Sequence, residues 1–516
     1  MADRQTGLSA GPNAGPNGAT PPRIVILGGG TAGWMAACLF AHHWGALGAT
    51  ITLVESPEIG IIGVGEGSTP HLKHFFDTLG LSEAQWMPRC DATYKTGIEF
   101  RGWSNAPGHD RYFHPFPTEL DTLTEGEFFA ACAARRRGED VPATPDPWFL
   151  TARLAREGRA PVAPPNFPFR IGYGYHFDAH KVGAMLREHA LPMGVRHVSG
   201  KVASVEMTPD GAIAALMLED GGRIDGDCFV DCSGFRSVLH QGALGVRFLP
   251  FADNLFNDSA VVIPTARPEG EIAPQTVATA MSAGWAWRIP LTSRVGNGYV
   301  YASRYQDQGA AEAELRAHLG VGDDVEARHL TMRVGRVENS WHANCLAVGL
   351  SQGFLEPLEA TALHIVQATL EAFIQCYGDG GFTARHRDAF NRTINARYEG
   401  IRDYIVAHYR LNRIGTPGYW ADNAGHDRLS DSLKRVITAW FTGADFAGEI
   451  MGQDIARYYT PMSWHALFAG YGTFPTRMRP ARWAGRDSDS LEAMMAGCAS
   501  NFPGHADWLT ELGERA

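Results

Sequence analysis

The sequence predicts an α/β (α+β) fold. A doubly wound, Rossmann-like parallel sheet comes first, with a second sheet and a mainly helical C-terminal region added to it. Three observations predict this. Residues Arg23–Glu55 read strand, glycine turn, helix, strand. Strand-like runs recur between Asp91 and Tyr305, too many for one nucleotide-binding sheet. From about Leu358 onward the apolar residues fall into helical period. The chain has 516 residues, long for one core, so two domains are expected. Their predicted limits are 23–380 and 381–516, after a disordered tail at 1–22 rich in Gly, Pro, Ala and Asn.

Arg23–Leu27 is a β-branched run, hence a buried strand. GGGTAG follows, with Gly28, Gly30 and Gly33 at the G-x-G-x-x-G positions. Gly28 permits a tight turn, Gly30 lets backbone approach a pyrophosphate, and Gly33 lets the helix pack on the sheet. Thr31, Ala32 and Gly33 open that helix, whose free N–H groups suit phosphate. Thr50–Val54 makes the second strand, and Glu55, 22 residues beyond Gly33, is placed to accept ribose hydroxyls. The pattern reads as an adenine dinucleotide site and does not separate FAD from NAD. GIIGVGEGSTP (Gly60–Pro70) is too irregular for a helix and reads either as a strap against a ring system or as a surface loop.

His71–Leu79 looks helical and Gly80 stops it. Asp91–Trp103 alternates like one strand, with Tyr94, Thr96, Ile98 and Phe100 on one face and Lys95, Gly97 and Glu99 on the other. Gly108–Pro117 is predicted as a loop, and a helix is expected from about Ala179 to Leu191. Val195–Val205, Ala212–Leu218 and the strand in GRIDGDCFVDCSG follow. In flavoproteins of the aromatic-hydroxylase type, a strand like the last returns to the nucleotide sheet beside the cofactor. Phe248–Tyr305, including GWAWRIPL, belongs to the second sheet; Asn344–Leu350 is another apolar strand.

A net charge of -11 without a basic stripe excludes nucleic acid as the main partner. No apolar run is long enough to span a membrane, and the N-terminus lacks the apolar centre of a signal peptide. The eight scattered cysteines include no C-x-x-C and fit no zinc spacing, so no metal is expected and a reducing cytoplasm is.

Five stretches in order, GGGTAGWMAA, IGVGEGSTP, ATYKTGIEF, GWAWRIP and GFLEPLEAT, resemble the flavin-dependent tryptophan halogenase family. The resemblance implies an FAD-binding domain of the aromatic-hydroxylase type with a helical substrate region. It implies that reduced FAD from a separate flavin reductase, with O2 and a halide ion (chloride or bromide), yields hypohalous acid, which halogenates a small electron-rich aromatic of indole type. A homodimer is allowed. Two other readings stay open: an FAD-dependent aromatic hydroxylase, and a flavin-binding protein without turnover.

The same resemblance assigns candidate roles. Lys95 matches the essential lysine, which holds hypohalous acid by an ammonium hydrogen bond or as a haloamine; from pattern alone it is a lysine on a polar strand face. Glu359 of P-L-E matches the catalytic glutamate, with Glu356 a nearby competitor. Thr361 and Ala362 match the backbone halide site, although Ala360 stands where Ser is usual and Ala362 where Gly is usual. Ser56, Ile59, Glu66, Val202, Leu350 and Leu363 join the glycine loop and Glu55 as FAD contacts. His114 and Phe116 match a pair that sandwiches the substrate ring. Trp285 and Trp287 match a gate that keeps organic substrate from the flavin. Tryptophan-specific members follow a Tyr-Tyr pair with an acidic and aromatic segment. Here Tyr458-Tyr459 leads into TPMSWHALFAGYG, with no Glu or Asp before Gly472. A substrate without the amino-acid moiety is therefore expected; Trp464 reads either as the residue that stacks on the substrate or, in an apolar helix, as the expected core residue.

Overall fold

The β-branched run Arg23–Leu27 forms β1, buried from Ile24 onward, near the centre of a six-stranded sheet. The fold is known from a computed structural model that describes residues 20–58, 65–270, 272–453, 455–482, 485 and 487–515. β1 pairs in parallel with β2 (Thr50–Glu55) on one side and with Cys228–Asp231 on the other. Arg196–Ser199 extends the sheet beyond β2, and Cys345–Ala347 extends it beyond Cys228–Asp231. The helix α1 (Thr31–Trp44) is the crossover between β1 and β2. Its residues are nearly all buried, because further helices cover the face it presents. Strand Cys228–Asp231 thus does return to the nucleotide sheet, as its sequence implied.

The second sheet has eight strands. Gly284–Pro290 and Arg294–Tyr301 form its central antiparallel pair, and β5 (Gly97–Arg101) joins it in parallel beside Thr276–Met281. A small third sheet orders β3 (Gly65–Gly67), β7 (Gly174–Asp178) and β4 (Thr93–Lys95). Two expectations are corrected here. Asp91–Trp103 is not one strand: it breaks at Thr96, so β4 and β5 enter different sheets and both faces are buried. Thr96 makes the break by giving its N–H and its hydroxyl to Pro274 O. Gly108–Pro117 is not all loop: β6 (Arg111–Pro115) pairs with β5, setting His114 opposite Ile98. Apolar Tyr112 and Phe113 make that edge worth burying.

The C-terminal part is helical. Arg387–Arg410, Asp431–Thr442, Pro461–Gly470 and His505–Glu514 are its main helices. No described helix is long and apolar enough to cross a membrane. Residues 1–19 of the predicted tail lie outside the described residues.

Candidate active site

The glycine loop shows one physical constraint per glycine. Gly28 sits at φ +116, and a Cβ there would stand 2.2 Å from Cys232 O. A Cβ on Gly33 would meet Gly28 O at 1.9 Å, so the start of α1 packs directly against the turn. Gly30 is different, because nothing lies within 4 Å of a Cβ built there. That side is open to a ligand. No side chain caps α1 at Gly30, so its leading N–H groups at Thr31, Ala32 and Gly33 face the same opening. Glu55 ends β2 with its carboxylate against Gly29 and 2.8 Å from His197 Nε2. The cradle, free donors and acid together fit a dinucleotide.

The other predicted cofactor contacts come from separate elements. Ser56 follows Glu55 and its Oγ accepts from Glu58 N. Glu66 lies on β3, opposite Phe177, and burial together with the Asp178 charge pushes its carboxyl up to about 7. Gly349 approaches Ala32 so closely that its added Cβ would stand 3.0 Å from the alanine methyl. This brings the turn carrying Leu350 onto the glycine loop. Leu363 is buried in the first turn of helix Ala362–Asp379. Val202 packs on the other face, beside Leu27 and Val54. Ile59, with the first half of the strap, lies outside the described residues.

Lys95 ends β4 and is fully buried, and among the described residues its Nζ has no hydrogen-bond partner. It does not lie on a solvated strand face. Its Nζ stands 5.3 Å from the centre of the Phe116 ring, and a Cβ on Gly67 would be 3.3 Å from it. Burial lowers its pKa to about 7, and the Glu359 charge resists that fall. Glu359 is also buried. Its Oε1 lies 2.9 Å from His408 Nε2 and its Oε2 4.0 Å from His114 Nδ1. Burial raises its pKa, but His114, His408 and Lys95 outweigh burial and leave it below the ordinary carboxylate value. Burial holds His114 below the ordinary histidine value, although the Glu359 charge resists it.

The competitor Glu356 is engaged elsewhere. It accepts from Asn257 Nδ2 (2.8 Å), Trp285 Nε1 (3.2 Å) and the Tyr409 hydroxyl, and burial raises its pKa. Glu359 rather than Glu356 shares the field of Lys95. Between Glu359 and the following helix, Ala360 adopts φ +54, a left-handed turn costing a side-chain residue about 1 kcal/mol. That turn lets helix Ala362–Asp379 start at once, with Thr361 at its N-cap and no side chain capping it. Its leading N–H groups remain available to an anion.

Trp285 and Trp287 alternate along Gly284–Pro290, with ring centres 6.2 Å apart. Trp285 is tied to Glu356, and Trp287 lies over Gly298, where a Cβ would collide at 2.2 Å. Trp464 is buried, as expected.

Several residues around the site were missed by sequence reasoning. His408 and Tyr404 lie four apart on helix Arg387–Arg410, and that spacing was the available signal. His408 Nδ1 lies 2.9 Å from the Tyr471 hydroxyl, and Tyr404 Oη lies 3.0 Å from His114 Nε2. His176 on β7 is buried beside Lys95, between Thr93 Oγ1 and Thr276 Oγ1. His505 begins the last helix; its Nδ1 lies 2.7 Å from Ile272 O, and its Nε2 accepts from Tyr94 N, next to Lys95. No local pattern marks it.

The tryptophan halogenase family profile matches residues 23–485. The chain is 37% identical, over an alignment of 528 positions, to 7-chloro-L-tryptophan 6-halogenase KtzR of Kutzneria sp. (strain 744), covering 95% of this chain and 99% of that one. It is 35% identical to tryptophan 6-halogenase SttH of Streptomyces toxytricini, covering 90% of this chain and 92% of SttH. Among solved structures, BrvH, a flavin-dependent halogenase from Brevundimonas sp. BAL3, matches with TM-score 0.81 and 34% identity, over 95% of this chain and 99% of BrvH. The glycine cradle, the buried Lys95–Glu359 pair and these matches agree, and the chain belongs to the tryptophan halogenase family of flavin-dependent halogenases.

Proposed function

We propose that this halogenase takes reduced FAD from a separate flavin reductase and halogenates an indole-type ring at Lys95 and Glu359. When bound, reduced FAD supplies with O2 and halide the hypohalous acid. Gly28, Gly30, Thr31, Ala32, Gly33, Glu55, Ser56, Ile59, Glu66, Val202, Leu350 and Leu363 hold the cofactor. Backbone at Thr361 and Ala362 holds the halide, and Trp285 and Trp287 keep the organic substrate away from the flavin.

The observation that carries the reading is a buried lysine nitrogen without a partner, poised near pH 7 in the field of a buried carboxylate. In its ammonium form Lys95 donates to the oxygen of hypohalous acid. The aromatic carbon attacks the halogen, the O–halogen bond breaks, and water leaves with the Lys95 proton. The ring proton passes to Glu359, which restores Lys95. His114 and Phe116 border the ring that is attacked. With a flavin reductase, NADH, FAD, bromide and indole, the expected result is a product heavier by one bromine in place of hydrogen. Hydroxylated product would favour an aromatic hydroxylase instead. Lys95→Ala is expected to abolish bromination while FAD still binds and O2 is still consumed, and Glu359→Gln to slow turnover by about 10²-fold or more.

A further inference from the structure

Arg397, on helix Arg387–Arg410, points its Nη1 at His364 Nε2, 3.0 Å away. A guanidinium only donates, so Nε2 accepts and the imidazole proton sits on Nδ1. That Nδ1–H is buried with no partner among the described residues, and so is the Nε–H of Arg397. The carboxylate whose charge acts on both His364 and Arg397, Glu371, is already taken. Its Oε2 lies 3.1 Å from His71 Nε2, and its Oε1 accepts from Gln367 Nε2 at 2.7 Å. The His71 ring itself stands 5.0 Å from His364. A half-buried cation and two unanswered buried donors cost stability unless an anion meets them.

A run of aromatic contacts links the cluster to the reaction centre. The Arg397 guanidinium lies 5.4 Å from the centre of the Tyr458 ring. The next residue, Tyr459, stacks on Tyr404 at 3.6 Å, and the Tyr404 hydroxyl meets His114 beside Glu359. His364 stands five residues beyond Glu359, on the first turn of the helix that begins at the halide turn. The stretch after Tyr459 offers no acid before Gly472, so it supplies nothing to pair with an ammonium. The Arg397–His364 cluster thus answers negative charge, and the stretch after Tyr459 answers no positive charge.

We infer that Arg397 and His364 form a carboxylate-binding subsite, and that the preferred substrate is an indole bearing a carboxylate but no ammonium group. The inference rests on the halogenation reading above. A carboxylate accepts from the free Nε–H edge of Arg397, whose opposite edge His364 Nε2 holds in place, and the indole ring then extends toward Lys95.

The test measures indole, tryptamine, tryptophan, indole-3-acetate and indole-3-propionate twice. Calorimetry on the flavin-free protein gives affinity, and bromination with a reductase gives kcat and KM. The two acids are expected to bind about tenfold tighter than indole, tryptamine and tryptophan, one charge-assisted hydrogen-bonding pair being worth that much. In Arg397→Met the ratio of acid to indole affinity is expected to fall to about one, while Arg397→Lys keeps part of it. Arg392→Met, an exposed arginine on the same helix, keeps the full ratio. Equal affinities in the wild-type protein overturn the subsite. So does a ratio that survives Arg397→Met, or a change confined to the KM for bromide. Tight acid binding with no brominated product from any arene upholds the subsite and refutes the halogenation reading instead.

Discussion

Lys95 owes its character to where it is held. Among the described residues its Nζ meets no acceptor, and the charge of Glu359 only partly offsets burial. With a pKa of about 7 when folded and an ordinary value of 10.5, the unfolded chain holds the extra proton between those values. Stability therefore rises with pH across that window and carries the full burial cost below it. Lys95→Met is expected to raise Tm, and to raise it more at pH 6 than at pH 9. A thermal scan at both values decides, and an equal gain would place the Lys95 pKa outside the window. Gly30 and Gly33 give a second contrast at this scale. Gly30→Ala meets no protein atom and should fold with wild-type stability, yet bind FAD at least about tenfold more weakly, because its methyl fills the ligand side of the loop. Gly33→Ala drives a methyl into Gly28 O and should lower stability itself. Fluorescence titration with FAD, paired with urea unfolding, separates the two effects.

At the scale of elements, β4 carries Lys95 and is only three residues long. It is held by pairing with β7 and, at Tyr94 N, by His505 from the last helix. His505 can do this only as a neutral ring that donates to Ile272 O through Nδ1 and accepts through Nε2. His505→Ala leaves Tyr94 N–H and Ile272 O without partners and is expected to cost about 2–4 kcal/mol. It is also expected to uncouple flavin oxidation from halogenation, since the strand under Lys95 loosens. Urea unfolding and the ratio of product formed to O2 consumed would check both. An unchanged ratio in folded protein would show that His505 matters for stability alone. The family profile ends at residue 485, so this brace comes from a part of the chain beyond the matched region.

For the molecule as a whole, the buried histidines set the response to acid. Burial lowers His364 and His465 to about 3 and His505 to about 4, against an ordinary 6.5. Between those values the unfolded chain binds protons that the folded chain refuses. These histidines therefore withdraw stability as pH falls from 6.5 toward 4. The midpoint of urea unfolding is expected to drop steeply between pH 6.5 and 5, and a flat profile would mean that these rings are solvated or charged when folded. FAD acts in the opposite direction. At one hundred times its Kd it is expected to stabilise the fold by about 2.7 kcal/mol, read as a higher Tm.

The sequence by itself determined the parts whose requirements are local. The turn at Gly28, the contact of Gly33 with it, the free helix start and the placing of Glu55 all follow from residues within one βαβ unit, as do the helical phase after Leu358 and the core position of Trp464. The motifs also brought Lys95 and Glu359 to notice as a pair. Only the tertiary structure decided what surrounds them. Alternation made Lys95 a residue of a polar face, yet it is buried, because Thr96 sends β4 and β5 into separate sheets and covers both sides. Of two glutamates three residues apart, only the P-L-E register favoured Glu359. Asn257, Tyr409 and Trp285 claim one, and His114 and His408 meet the other. Those partners lie from tens to hundreds of residues away. Desolvation and pairing are sums over everything packed around a group, and no local stretch of sequence contains that sum.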